Sequence, residues 1–535
     1  MNRLLKHAGN RFVPVALTLF CGVLFIQTYA SLVQTAYANG WDGYYYLVQV
    51  RSWFTDGQMH SEDHTLIYPL MIAVQTLTDD YILTYKVASS LARTLFVVSV
   101  AVYGAVLCGA VSAHNDDTVQ YSFFQNWAPV LCIASWAAAA PVSFYFISQY
   151  PKNMLGFSFF FFFCAVLEYI RSARGKDKTP LISATAPLYI ILFLLFAAAF
   201  VTHRFSGALS LVALCVYVFM YMLQHHRHVV LYGLAAAAAV FSLSLLLPGT
   251  LHLYDLERFS GSLAPEARIL PLVFMENVGV GKFPLYWKAG MYASYAGMGA
   301  FTLFTLYRLL SSRLTDAKGW KLAPLALLFL LGVFPFYTFS LTGIGSRFFL
   351  GAQIAAPLLI AGIPDLIRRL PQWTVTVFSL LLVLSSVFTY RAYDPALFDP
   401  PYNYYAAIVD RAVRLIDKMD EKPSLVVAHK SLAEFMTFES GIDVLPWAPE
   451  ERYSRETVWR IVYGLSGDAV DGYGSVGMRK RMYFLKGRYT LIREDDWHSL
   501  AGRLSREAPE TFDGLDTWLN PMRVRPAYLM RGRKK

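Results

Sequence analysis

Residues 182–201 read ISATAPLYIILFLLFAAAFV and residues 206–223 read SGALSLVALCVYVFMYML, with only Thr202-His203-Arg204-Phe205 between them. Neither run holds a charged side chain, and a helix of ~20 residues rises ~30 Å, the depth of a bilayer's hydrocarbon core. The pair therefore reads as two membrane helices that turn back on each other through four residues. Working outward, comparable apolar runs recur at 12–34, 85–112, 126–147, 154–170, 229–248, 288–310, 322–341, 350–367 and 372–390, eleven runs in all. The composition agrees. Of 535 residues, 56% are hydrophobic and only 16% charged, against ~25% charged in soluble proteins, and mean hydropathy is +0.40. A soluble enzyme, a disordered chain and a collagen-like chain are excluded; 39 Phe, 34 Tyr and 11 Trp are too heavy an aromatic load for the latter two. The expected fold is a polytopic α-helical membrane protein of about eleven transmembrane helices, with interfacial helices in the first outer loop and a small C-terminal α/β domain in the periplasm.

The C-terminal domain is read from charge. From Arg391 onward the last 145 residues hold 44 of the 84 charged side chains, so the chain divides into a membrane domain, 1–390, and a soluble domain, 391–535. In the latter, 402–420 reads as an amphipathic helix, Leu425-Val426-Val427-Ala428 as a buried strand, 431–439 as a helix and 482–493 as a strand or hairpin. The net charge of +10 falls mostly between apolar runs, where it sets membrane orientation and does not point to nucleic acid. Short basic loops face the cytoplasm: Arg3, Lys6 and Arg11; Arg171, Arg174, Lys176 and Lys178; Arg227; Arg313, Lys318 and Lys321; Arg368 and Arg369. Eleven crossings then place the N-terminus inside and loops 35–84 and 249–287, with the C-terminal domain, outside. The first run is too long for a cleavable signal peptide. No Asn-x-Ser/Thr acceptor occurs, which favours a bacterial inner membrane over an ER lumen. The five Cys all lie in or near apolar runs and form no CxxC pair, so neither a disulfide framework nor a thiolate metal site is expected.

The first outer loop concentrates chemistry. It begins Asn39-Gly40-Trp41-Asp42-Gly43-Tyr44-Tyr45-Tyr46-Leu47-Val48-Gln49-Val50-Arg51-Ser52-Trp53-Phe54, a helix-compatible segment too polar to span and suited to the membrane surface. Asp42 stands at its N-terminal end, where a carboxylate can simply accept backbone N–H bonds as a cap. Further on come His60-Ser61-Glu62-Asp63-His64 and the apolar Ile67-Tyr68-Pro69-Leu70-Met71. Glu62, Asp63 and His64, with His60, are oxygen and imidazole ligands of the kind that hold Mg²⁺, Mn²⁺ or Zn²⁺, although their spacing fits no standard motif and exposed loops are often acidic. A divalent metal is the one cofactor the sequence offers.

An Asp shortly after the first membrane helix, an aromatic amphipathic helix, and a Tyr-Pro-Leu helix start some 25 residues later resemble the first outer loop of the membrane-embedded GT-C glycosyltransferases. That class includes the protein O-mannosyltransferases and bacterial aminoarabinose transferases. Gly345-Ser346-Arg347-Phe348-Phe349-Leu350, continuing to Pro357-Leu358-Leu359, is similar to the segment with which such enzymes re-enter the membrane from outside. The resemblance implies a polyprenyl-phosphate-linked sugar as donor, a glycan, lipid or protein as acceptor, and the role of catalytic base for Asp42. The sequence departs from the pattern at Ser148-Gln149-Tyr150-Pro151-Lys152-Asn153: Lys152-Asn153 stand where the family often carries a second acidic residue, so a two-carboxylate metal scheme does not transfer.

Residue chemistry leads to the same requirements without the family. A sugar joined through phosphate has a good leaving group; an enzyme must add a base for the acceptor hydroxyl and positive charge against the departing phosphate. Asp42 is the base candidate. Lys152, His203, Arg204, Arg258, Arg268, Lys282 and Arg347 are the phosphate-binding candidates on the outer side, each with the alternative of contacting lipid headgroups. Trp41, Tyr44, Tyr45 and Trp287 are aromatic groups able to stack on a sugar. Arg93, inside the second run one to two turns from its outer end, can snorkel outward or reach the cavity, and snorkelling is the favoured reading. The rival classes are a transporter or flippase of lipid-linked glycans, a polysaccharide polymerase, and a sensor with an outer ligand-binding domain. Against the first, the helix centres are nearly free of charge and ionisable residues gather in the outer loops.

Overall fold

A computed structural model describes residues 18–40, 42–60, 63, 65–110, 123–174, 182–225, 285–311, 322–334, 344–392, 401–442, 444–445, 457–463, 465, 482–485 and 489–507. Two compact units are present: Met1–Gln34, His64–Val74 and Lys86–Phe398 form one, and Thr35–Asp63, Gln75–Tyr85 and Asp399–Lys535 form the other.

The helices run in chain order as α1 (Thr18–Leu32), α2 (Gly43–Asp56), α3 (Ile67–Thr78), α4 (Tyr81–Leu107), α5 (Phe123–Ala139), α6 (Pro141–Gln149), α7 (Pro151–Arg174), α8 (Ile182–Thr202), α9 (Arg204–His225), α10 (Leu285–Ser311), α11 (Ala323–Val333), α12 (Ile344–Ala355), α13 (Pro364–Arg369) and α14 (Gln372–Ala392). Helix is thus found at ten of the eleven expected runs; the eleventh, 229–248, lies outside the described residues. Among the described residues, α4 and α7 are long and apolar enough to cross a bilayer alone, and α5 and α6 together reach that length and hydropathy with a bend of 53° between them. Pro141 causes that break: it lacks an N–H and occupies the first turn of α6.

Within this first unit the core is aromatic, with Phe157, Phe161 and Phe96 in ring contact. The opposite faces leave Phe193, Ile190, Leu303 and Leu194 58–68% exposed, a density of apolar surface that suits lipid and not water. Arg93 does not snorkel. It is fully buried, its guanidinium donating to Thr28 Oγ1 (2.7 Å), Ser143 Oγ (3.2 Å) and the Ala138 carbonyl (2.5 Å), and lying 3.6 Å from the Phe144 ring centroid. The broken helix supplies the reason: Pro141 interrupts the backbone ladder, and Arg93 binds a carbonyl and a hydroxyl beside the break. At the α8–α9 turn, a Cβ on Gly207 would lie 2.6 Å from Phe200 Cα, so only glycine allows so tight a return.

The second unit contains α15 (Tyr402–Asp417), β1 (Leu425–Val427), α16 (Lys430–Ser440), β2 (Val444–Leu445), β3 (Val458–Tyr463), β4 (Met482–Phe484), β5 (Tyr489–Arg493) and α17 (Glu494–Glu507). The strands form one sheet in the order β2-β1-β3-β5-β4; β1 is parallel to β2 and β3, while β5 is antiparallel to β3 and β4. Trp497, Leu500 and Leu504 of α17 pack on Val462 and Ile492 of the sheet. His429 precedes α16 and caps it, its Nδ1 accepting from the Leu432 amide at 3.4 Å, with Nε2 3.1 Å from the Tyr489 hydroxyl. Burial pushes its pKa down to about 3, which keeps the ring neutral.

The helices at 402 and 430, the strand at 425 and the hairpin from 482 stand where the sequence puts them. The units divide after Phe398, and Thr35–Asp63 and Gln75–Tyr85 pack with the C-terminal residues. The cause is the aromatic content of α2, whose buried face needs the apolar side chains of α15 and α16.

Candidate functional site

In the second unit the site is built around the start of α2. Gly40 adopts a left-handed φ of 77°, and a Cβ on Gly43 would fall 2.9 Å from that of Ala38; the chain folds tightly just before the helix. Asp42 occupies the N-cap position with φ −104° and ψ 1°, yet its side chain makes no capping hydrogen bond. The capping hydrogen bond that the sequence alone would assign to this carboxylate is therefore not made. Its carbonyl starts the helix by accepting from the Tyr46 amide at 3.3 Å.

The next turn carries polar groups toward Asp42. Tyr45 is half-buried, and its hydroxyl donates to Asp63 Oδ2 at 3.0 Å. Tyr46 is buried, and its phenol is raised well above its ordinary pKa, first by burial and then by the charges of Asp42, Tyr85 and Asp63. Two carboxylates thus act on one buried phenol. Tyr85 in turn donates to the Asn39 carbonyl at 2.9 Å. Tyr44, a candidate sugar platform in the sequence, is only 1% exposed; it is a packing residue, because it is the side chain by which α2 anchors to the C-terminal helices. Tyr45 remains on the accessible side.

Of the proposed metal ligands, Asp63 is engaged with Tyr45, His60 is exposed, and Glu62 and His64 lie outside the described residues. Among the described residues no three His, Cys, Asp or Glu side chains converge.

In the first unit four sequence candidates lie on elements that pack against one another. Lys152 lies in the first turn of α7, His203 and Arg204 at the α8–α9 turn, and Arg347 in α12. Gly156 makes the approach possible: a Cβ there would lie 2.5 Å from Ser206 Oγ and 3.0 Å from His203 Cβ. Ser206 Oγ donates to the Ala199 and His203 carbonyls at 2.9 and 2.8 Å, holding the turn closed, and Thr65 Oγ1 donates to the Thr202 carbonyl at 2.8 Å. The Phe205 ring meets Phe157 at 6.1 Å and Phe348 at 5.2 Å, which sets Arg204 and Arg347 beside touching residues. Both arginines are exposed, and Lys152 and His203 are half-buried. Arg258, Arg268 and Lys282, and the rings of Trp41 and Trp287, lie outside the described residues.

Sequence reasoning missed Asp63 as the partner of Tyr45, and Gly156 and Ser206 as the residues that join α7 to the α8–α9 turn. A single glycine in the second turn of a helix, Gly156, was the available signal for the latter.

No family model matches the sequence, and no curated protein matches it. Its structure is similar to that of ArnT from Cupriavidus metallidurans bound to undecaprenyl phosphate, with a TM-score of 0.50 at 11% identity, over 89% of this chain and 97% of that one. The same protein in the apo state gives a TM-score of 0.48 at 12% identity, over 90% and 98%. The likeness to the lipid-bound structure extends over nearly the whole of both chains, and it shows that this protein shares the helical fold of that ArnT structure.

Proposed function

We propose that the protein is a glycosyltransferase that moves a sugar from a polyprenyl-phosphate carrier to an acceptor at the outer face of the inner membrane, with its N-terminus in the cytoplasm and its C-terminal unit in the periplasm. The observation that carries this reading is Asp42, set at a helix start without acting as its cap and grouped with Asp63 and Tyr45 around a buried phenol. A carboxylate so held suits proton transfer. The similar ArnT structure holds undecaprenyl phosphate, which supports a carrier of that chemical class.

In the proposed step the acceptor hydroxyl attacks the anomeric carbon, Asp42 takes the hydroxyl proton, and the bond between that carbon and the phosphate oxygen breaks with its electron pair passing to the phosphate. Polyprenyl phosphate leaves, and the anomeric configuration inverts. Lys152, His203, Arg204 and Arg347 are assigned to the phosphate's negative charge; arginine suits its oxygens bidentately and lysine serves as a point charge. Arg258, Arg268 and Lys282 share that assignment from the sequence. Tyr45 is placed against the donor, and the acceptor is an envelope glycolipid, glycan or protein. Asp63, with Glu62 and His64, is the place for a divalent cation if the reaction employs one.

Mass spectrometry of envelope glycolipids and glycoproteins, from cells with and without the protein, tests the reading. Loss of one sugar-modified species, with its unmodified precursor accumulating, is expected. Identical profiles would overturn it.

A further inference from the structure

The C-terminal residues form the seat of the helix that begins at Asp42. Tyr44 inserts into an aromatic socket within the second unit, its ring centroid 4.8 Å from Phe435, 4.9 Å from Tyr402 and 5.3 Å from Phe438, all edge-on. The Tyr402 hydroxyl, itself buried, donates to the Gly40 carbonyl at 2.6 Å. Farther along α2, Arg51 donates to the Phe438 carbonyl and lies 5.7 Å from the Phe438 ring. Asp42 is thus bracketed: two residues before it the backbone is hydrogen-bonded by α15, and two residues after it a ring is enclosed by α15 and α16. A buried tyrosine hydroxyl needs an acceptor, and the one used here is the Gly40 carbonyl. That carbonyl belongs to the left-handed residue from which the chain turns into Asp42.

We infer that Tyr402 is a positioning residue for Asp42, and that the C-terminal unit sets where the base stands as well as whatever it does for the acceptor. The inference rests on the reading of Asp42 as the base. Its physical ground is that a misplacement of ~1 Å in a reacting group can lower a rate by ~10²-fold, so holding both flanks of one residue has a large kinetic consequence.

The test uses the full-length protein in nanodiscs, with undecaprenyl phosphate as the binding probe, and the sugar-modified envelope species of expressing cells as the measure of turnover. Tyr402→Phe keeps the ring in the socket and removes only the hydroxyl. Amide exchange across residues 40–46 should quicken tenfold or more, affinity for undecaprenyl phosphate should stay within twofold of wild type, and product formation should fall tenfold or more. Tyr44→Leu, which removes the ring from the socket, should give the same split and serves if Tyr402→Phe does not fold. Wild-type exchange and product formation in the folded variants, with Asp42→Asn inactive, would overturn the inference and leave the base reading standing. So would parallel losses of undecaprenyl phosphate affinity and product formation, the mark of general disruption. Wild-type product formation by Asp42→Asn would overturn the base reading first, and the inference with it.

Discussion

Removing one partner of the Arg460–Glu494 pair should destabilise the C-terminal unit severely, while replacing both with apolar residues should not. Arg460 sits in the middle of β3 and Glu494 opens α17; their side chains are 5% and 2% exposed. The guanidinium donates from Nε to Oε2 at 2.6 Å and from Nη2 to Oε1 at 2.5 Å, and His498 Nε2 lies 3.3 Å from the same Oε1. Two hydrogen bonds to charged groups, at ~1.5–3 kcal/mol each, are lost in Arg460→Met, and the cost of a buried charge left unpaired is ~3–5 kcal/mol. For a unit of this size each kcal/mol lowers the melting temperature by ~2–4 °C, so the single variants Arg460→Met and Glu494→Leu should melt ~6–20 °C lower. The double variant should melt within a few degrees of wild type or above it, because Arg460 Nη1 is already buried without a hydrogen-bond partner among the described residues and the desolvation of both charges is removed. The pH dependence has a defined sign. Burial raises the Glu494 pKa, but hydrogen bonds from His498 and Arg460 outweigh it and hold the group at about 2. Its contribution is therefore fully present above the ordinary carboxylate value of ~4.3 and is lost as pH falls toward about 2. Amide exchange across β3, β5 and α17, followed against temperature in the full-length protein, reports unfolding of this unit. Single variants melting within 2 °C of wild type would refute the reasoning.

Three further outcomes follow from the first unit. Arg93→Met and Arg93→Lys should both melt well below wild type in detergent, since neither can bind Thr28, Ala138 and Ser143 at once; full stability of the Lys variant would show that charge alone suffices. Gly156→Ala should push Ser206 and His203 away from α7 at a cost of ~1–3 kcal/mol, read as weaker binding of undecaprenyl phosphate by calorimetry, and unchanged binding would contradict the assignment of this end. Arg347→Ala should weaken that binding by roughly tenfold or more, the equivalent of ~1.5–3 kcal/mol for a lost bond to a charged group, with Arg347→Lys intermediate; equal affinities would remove Arg347 from the phosphate site.

How much of this was legible in the sequence depended on how local the deciding contacts are. Helix at ten of the apolar runs was legible because each run carries its own local signal, and α15, β1 and α16 follow from short-range patterning. Strand β3 was missed because Arg460 interrupts an otherwise apolar Val458–Tyr463, and its neutralising partner stands 34 residues later. Helix α17 was hidden behind Glu494-Asp495-Asp496, which reads as a charged loop although it is an acidic first turn suited to the helix dipole. At the candidate site, the sequence nominates Asp42 from its place in the first loop. The contact that holds it was not legible there, since Tyr402 and Gly40 are 362 residues apart. Arg93 was misjudged for the same reason: lipid-exposed arginines snorkel, and only the packed structure shows a carbonyl and two hydroxyls waiting for it.

The central claim is that Asp42 takes the acceptor's proton, and Asp42→Asn tests it most directly because the amide keeps the size of the side chain while removing its basicity. Turnover of the full-length variant, measured as formation of the sugar-modified envelope species alongside its affinity for undecaprenyl phosphate, should fall by ~10²–10⁴ on a hydroxyl acceptor with that affinity unchanged, the usual scale of a lost general base. A folded Asp42→Asn protein that binds undecaprenyl phosphate and forms the product at the wild-type rate would contradict the account.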